Sequence, residues 1–148
     1  MKKRNDLEFT ITDPRMTRFW ITLEQGVDLV VKALNETVGG EIFIPKIPSM
    51  KITDLARAIE PRCRFKIIGI RPGEKMHETL ISEDEARKTR LFKGAYVIIA
   101  EYVDLKHIHG KYYKYRIPPE GFVYSSDKNK RWLSVSEIKS MIKRTRIE

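Results

Sequence analysis

Prolines and glycines at particular positions in this chain, Pro14, Gly39-Gly40, Pro45 and Pro61, mark where regular elements are expected to stop. Phe9 and Ile11 alternate as in a short strand, and Thr12-Asp13-Pro14 closes it, because Pro14 restricts the residue before it and bars a helix. Thr22-Leu23-Glu24-Gln25 has the spacing of a capping box. Leu23, Val27, Val30, Val31 and Leu34 then lie on one helical face, ended by Gly39-Gly40. Residues 41–44 form a short buried strand closed by Pro45. Thr53 is the expected N-cap of a helix over 54–59, with Pro61 beyond its end. Residues 65–70 read as a second strand that enters the turn Arg71-Pro72-Gly73-Glu74-Lys75, followed by a helical stretch at 76–80. Residues 82–87 suit another helical turn and 95–100 a third strand, while from 101 to 131 the pattern weakens. Ser134-Val135-Ser136-Glu137 is a second capping box, opening a helix with Ile138, Met141 and Ile142 on one stripe.

Composition narrows the function classes. A length of 148 residues, with 41% apolar and 33% charged residues, suits a soluble folded chain with a real core. No run approaches the roughly 18 to 20 apolar residues of a spanning helix, and no apolar stretch follows the basic N-terminus to make a signal peptide. The expected compartment is the cytoplasm, with no membrane role. Cys63 has no partner for an internal disulfide and reads as an inert packed thiol. The net charge of +9 is uneven: residues 1–102 carry 18 basic and 15 acidic side chains, residues 103–148 carry 11 and 5. Within the basic third, KYYKYR (111–116) interleaves aromatics and cations, as in a strip that stacks on bases, but the same pattern marks exposed edge strands. The second reading is preferred, and nucleic acid is not the expected partner.

Two segments combine charge with enforced backbone shape. Arg15 and Arg18 flank Met16-Thr17 ahead of Phe19-Trp20, and Arg71 leaves a strand directly into Pro72-Gly73-Glu74. The planar fork of arginine suits phosphate, and a glutamate can accept paired hydrogen bonds from a diol such as ribose. From the residues alone, the simpler reading is that Arg71 and Glu74 cap local backbone and pair with each other. His107 and His109 could form a metal pair but have no third ligand nearby, and His77 reads as a packing or hydrogen-bonding residue. Tyr102 and Lys106 have the spacing of a proton-transfer dyad, which chance explains in a chain with six tyrosines. No G-x-G-x-x-G or Walker-type loop occurs, so a nicotinamide cofactor has no cradle here.

The segments ITDPRMTRFWITLEQGVDLV (11–30), GGEIFIPKIPSMKITDLARAI (39–59), KIIGIRPGEKMHETLISEDEA (66–86) and YSSDKNKRWLSVSEIKSMI (124–142) resemble the C-terminal part of the bacterial UDP-N-acetylglucosamine 4,6-dehydratases (inverting). These are extended short-chain dehydrogenase/reductases of polysaccharide and glycan synthesis. The resemblance implies an α+β fold around one core: the substrate-binding C-terminal region of such an enzyme, without the Rossmann domain. It implies a UDP-sugar-binding region over 1–100, a variable connection over 101–120 and a C-terminal extension with its closing helix over 121–148. It also reverses the simpler reading of the charged turn: Arg18, Arg71 and Glu74 become substrate-binding residues, the last two toward the diphosphate and ribose of UDP. Met16 and Thr17 become neighbours of the uracil or ribose. In the full-length family NADP and a catalytic Tyr/Lys pair precede these motifs, so this chain is expected to hold no cofactor and no catalytic residue and to be inactive alone. The expected partners are a UDP-sugar and a separate Rossmann half or a second copy of the chain. The alternatives are a non-catalytic UDP-sugar-binding or scaffolding module and a basic nucleic-acid-binding protein.

Overall fold

The structure is a computed structural model that describes residues 7–99 and 110–145. The elements run β1 (Glu8–Ile11), β2 (Thr17–Phe19), α1 (Leu23–Glu36), β3 (Ile42–Pro45), β4 (Ser49–Lys51), α2 (Ile52–Ile59) and β5 (Arg64–Ile67). Then follow β6 (Thr79–Ile81), α3 (Glu83–Ala86), β7 (Thr89–Phe92), β8 (Ala95–Ile98), α4 (Gly110–Tyr113), β9 (Tyr124–Ser125) and α5 (Val135–Thr145). The fold is α+β. Its elements gather into two compact units, each discontinuous in sequence and each with its own apolar cluster, where the sequence suggested one core. Among the described residues no helix is long and apolar enough to cross a membrane.

The first unit draws on the segments up to Thr22, Pro48–Glu78, and from Ser126 onward. β1 and β5 pair in parallel, Glu8 opposite Arg64 through Ile11 opposite Ile67, and β2 pairs antiparallel with β4. Met50, Ala58, Leu133 and Ile138 form its core, flanked by Trp20, Leu55, Val135, Met141 and Ile142, so the stripe read on α5 does face inward. α5 starts as its sequence dictates: the Ser134 N–H donates to Glu137 Oε2 at 2.8 Å and the Glu137 N–H to Ser134 Oγ at 3.3 Å. Three expectations change. Thr53 is not the cap of α2: Lys51 is, without a side-chain bond, and Thr53 lies buried in the first turn. The second strand ends at Ile67, and Ile67, Ile68 and Ile70 are exposed, because a two-stranded parallel ribbon leaves an apolar face uncovered. Residues 76–80 are not helical: they form a turn and the start of β6.

The second unit draws on Leu23–Ile47 and Thr79–Ser125. Its antiparallel sheet has the order β3-β8-β7, and β6 pairs with β9. β7 and β8 form a hairpin whose two turn residues, Lys93 and Gly94, both have positive φ (40° and 78°), as a type I′ turn requires. Phe92, Val97, Ile99 and Tyr112 make the core, with Phe43 and Tyr115 packed against it. KYYKYR is therefore no edge strand: Gly110–Tyr113 is a helical turn that places Tyr112 inside the unit. Tyr102, Lys106, His107 and His109 lie outside the described residues.

α1 spans the residues its spacing predicts, yet none of them is buried, and Leu23, Val27, Val30, Val31 and Leu34 are all exposed, from 51% to 79%. Its last residue helps to tie the helix down, as does Lys32, whose Nζ donates to Lys93 O. Glu36 receives Lys111 Nζ at 2.6 Å and Lys93 Nζ at 2.5 Å, and its carbonyl oxygen accepts from the Tyr112 hydroxyl. Hydrogen bonds from Lys111 and then Lys93 hold the Glu36 carboxyl down to about 2, against 4.5 for the ordinary group. A folded value below the unfolded one means this contribution is present above pH 4.5 and lost as pH falls toward 2. Glu36→Gln should therefore lower Tm at neutral pH and flatten its fall over that window. Asp13 and Glu137, also held to about 2, leave a residual slope. An acid limb as steep as that of the unaltered chain would contradict this.

Candidate functional site

The residues singled out by the sequence lie in the first unit, where the end of the β1/β5 ladder meets β2. Asp13 shapes the approach. Its carboxylate accepts from Arg15 Nε at 2.9 Å and Nη2 at 2.7 Å and from the Arg15 N–H at 2.8 Å, which lowers its pKa to about 2. Arg15 thus closes its own turn, and the Met16 N–H donates to Asp13 O at 3.2 Å. Met16 and Thr17, the latter the first residue of β2, are buried, 2% and 3% exposed.

Arg18 lies on β2 opposite Met50, with about a quarter of its side chain in solvent. Its guanidinium is held on one side by main-chain oxygens: Nη1 donates to Thr17 O at 2.7 Å and to Met76 O at 3.2 Å. Nε faces Glu78 Oε1 at 3.5 Å and Nη2 approaches Met16 Sδ at 3.8 Å. The backbone reinforces this arrangement, since the Thr17 N–H donates to Met76 O at 3.1 Å. A partly exposed pair at 3.5 Å contributes little stability.

The charged turn is built by its own residues. Pro72 at the second position, Gly73 at the third with φ +80° and the Glu74 N–H donating to Arg71 O at 3.1 Å make a type II turn. Only glycine adopts that φ without strain. The Glu74 carboxylate accepts the Arg71 N–H at 3.1 Å and the Thr12 hydroxyl at 3.2 Å, and the same hydroxyl reaches Met16 Sδ at 3.0 Å. Half of the simple reading is thus observed: Glu74 caps the backbone of Arg71. The Arg71 guanidinium makes no ion pair among the described residues and projects into solvent. The fold brings Glu74 and Arg18 around one thioether through Thr12, and leaves Arg71 at the surface of the same turn.

Behind Arg18 lies a buried hydroxyl network. Thr17 Oγ1 is 2.8 Å from His77 Nδ1 and 2.6 Å from Ser126 Oγ, and Ser126 is fully buried. His77 is therefore a hydrogen-bonding residue. Sequence reasoning missed Thr12, Glu78 and Ser126. Thr12 reads only as a turn former, and Ser126 is 109 residues from Thr17, so no local pattern announces it. Among the described residues no group of three or more His, Cys, Asp or Glu is placed to hold a metal ion.

The site therefore consists of an arginine pinned on a strand beside a glutamate-capped Arg-Pro-Gly turn, in an α+β chain. The chain belongs to the polysaccharide biosynthesis protein family, whose model matches residues 1–100. It is 49% identical over 143 residues to the UDP-N-acetylglucosamine 4,6-dehydratase (inverting) of Campylobacter jejuni, a match covering 93% of this chain and 43% of that protein. It is 35% identical over 148 residues to the UDP-glucose 4-epimerase of Rickettsia felis, covering 94% of this chain and 42% of the relative. Among solved structures, Pen from Bacillus thuringiensis superposes with a TM-score of 0.75 at 28% identity, over 94% of this chain and 40% of Pen. The chain thus spans less than half the length of the relatives it matches.

Proposed function

We propose that the chain binds the uridine diphosphate moiety of a UDP-sugar and is the substrate-binding part of a UDP-N-acetylglucosamine 4,6-dehydratase serving polysaccharide or glycan synthesis. One observation carries this reading. The dehydratase and the epimerase differ in the sugar and the reaction their names give and share the UDP carrier, and each resembles this chain over more than nine-tenths of its length. In this reading Arg18 and Arg71 meet the diphosphate and Glu74 the ribose. Met16 and Thr17, expected as neighbours of the uracil or ribose, are buried in this structure and are here assigned instead to the floor on which Arg18 rests.

The sequence has no glycine-rich dinucleotide cradle, so NADP and the Tyr/Lys pair are assigned to the further polypeptide that the relatives possess, and no hydride or proton step falls to residues described above. That polypeptide is also the occupant assigned to the apolar face of α1. Five exposed apolar residues on one helix form a patch suited to burial against a partner domain, and the relatives are more than twice as long as the matched region.

Calorimetric titration with UDP tests the site, and co-purification with the N-terminal portion of the Campylobacter jejuni relative tests the face. The expected results are saturable UDP binding and a complex with restored 4,6-dehydratase activity. Val27→Asp with Val31→Asp should abolish the complex while leaving UDP binding intact. Absence of UDP binding by the folded chain removes the reading, and UDP binding with neither complex nor turnover leaves a non-catalytic binding module in its place.

A further inference from the structure

We infer that Ser126, in the segment leading to the closing helix, is a positioning residue for Arg18; this rests on the assignment of Arg18 to the UDP-sugar. Ser126 is fully buried and fastens two segments of the site at once, β2 and the residues just before β6. Its N–H donates to Glu78 O at 2.8 Å and its Oγ accepts the Glu78 N–H at 2.9 Å, a paired contact that fixes the segment carrying Met76 and Glu78. The same Oγ donates to Thr17 O at 3.2 Å and lies 2.6 Å from Thr17 Oγ1, which fixes β2. Among the described residues, those two segments supply the oxygens that hold the Arg18 guanidinium: Thr17 O, Met76 O and Glu78 Oε1.

Thr17 O accepts from both Ser126 Oγ and Arg18 Nη1, so the serine hydroxyl and the guanidinium share one acceptor. Removing this hydroxyl leaves the Glu78 N–H without its acceptor, a cost in stability, and takes away one of the links between β2 and the segment over 76–78, the bond from the Thr17 N–H to Met76 O remaining. The expected consequence is an Arg18 side chain that keeps its charge and loses its fixed direction. A ligand must then immobilise the arginine on binding, which lowers affinity without removing any contact atom.

The test is a cycle of Ser126→Ala and Arg18→Ala, read by UDP affinity and, without ligand, by the ¹⁵N heteronuclear NOE of Arg18 Nε. Ser126→Ala should lower that NOE and weaken UDP binding about 10-fold. In the Arg18→Ala background it should change affinity by less than about twofold, since a residue acting only through Arg18 has nothing left to act on. Thr17→Val, which removes the hydroxyl that faces Ser126, should show the same pattern more weakly, and it serves if Ser126→Ala does not fold. An unchanged Arg18 NOE overturns the inference whether or not UDP binds. So does an equal loss of affinity in both backgrounds, which marks a merely structural role. A rigid Arg18 that loosens in Ser126→Ala, in a chain that binds no UDP, upholds the positioning and removes the proposed ligand.

Discussion

Arg18→Ala is expected to raise the Kd for UDP by roughly 10- to 100-fold, the loss of one or two charge-assisted hydrogen bonds. The size follows from how the side chain is held. Thr17 O and Met76 O already orient the guanidinium, so binding sacrifices little of its rotamer freedom. Among the described residues the anion paired with Arg18 is Glu78, at 3.5 Å, whose displacement costs under about 1 kcal/mol. Arg18→Lys keeps the charge and cannot reproduce a fork that donates to main-chain oxygens on one edge while facing an anion on the other, so it should fall between the two. Titration calorimetry, with thermal denaturation to confirm that each variant is folded, gives the answer; Arg18→Ala binding UDP as tightly as the unaltered chain would remove Arg18 from the site.

Phe92→Ala carries the largest expected loss of stability, about 3–5 kcal/mol. Phe92 is fully buried and meets three other rings edge-on, Tyr115 at 4.9 Å, Tyr112 at 5.1 Å and Phe43 at 6.3 Å between centroids. Those rings come from β3, β7, α4 and the residues just after α4, so removing the central one takes away packing shared by the whole second unit, beyond its own transfer free energy. Against the 5–15 kcal/mol typical of a folded domain, this is a large fraction. Urea denaturation should show the loss, and exchange of the Leu91 and Ile99 amides, which bond Arg116 O and Lys88 O, should accelerate. A loss below about 1 kcal/mol would mean that the aromatic cluster is not the core of this unit.

Both predictions turn on contacts that differ in how far they could be read in advance. The Arg-Pro-Gly-Glu turn was legible as a turn, because proline fixes its own φ, glycine tolerates the positive φ the next position needs, and the capping glutamate is three residues away. The two serine capping boxes, at Ser82 and Ser134, are equally local, although only the second was read as one. The β7/β8 hairpin was missed despite a signal: Lys93-Gly94 sits between two apolar runs that pair across it. The stripe on α1 was legible as a pattern and misleading as burial, since periodicity states which face is apolar and says nothing of what covers it.

By itself the sequence determined elements whose physics is local: the Ser134 cap, the Arg71–Glu74 turn and which helix faces are apolar. Only the tertiary structure decided what the site residues touch. Met76 O and Ser126 reach Arg18 and Thr17 from 58 and 109 positions away, and Thr12 joins Glu74 to Met16 across 62. Sequence pattern extends over a turn or two of chain, whereas a side chain is oriented by whichever segments the fold packs beside it. For this site those segments come from three separate stretches of the chain.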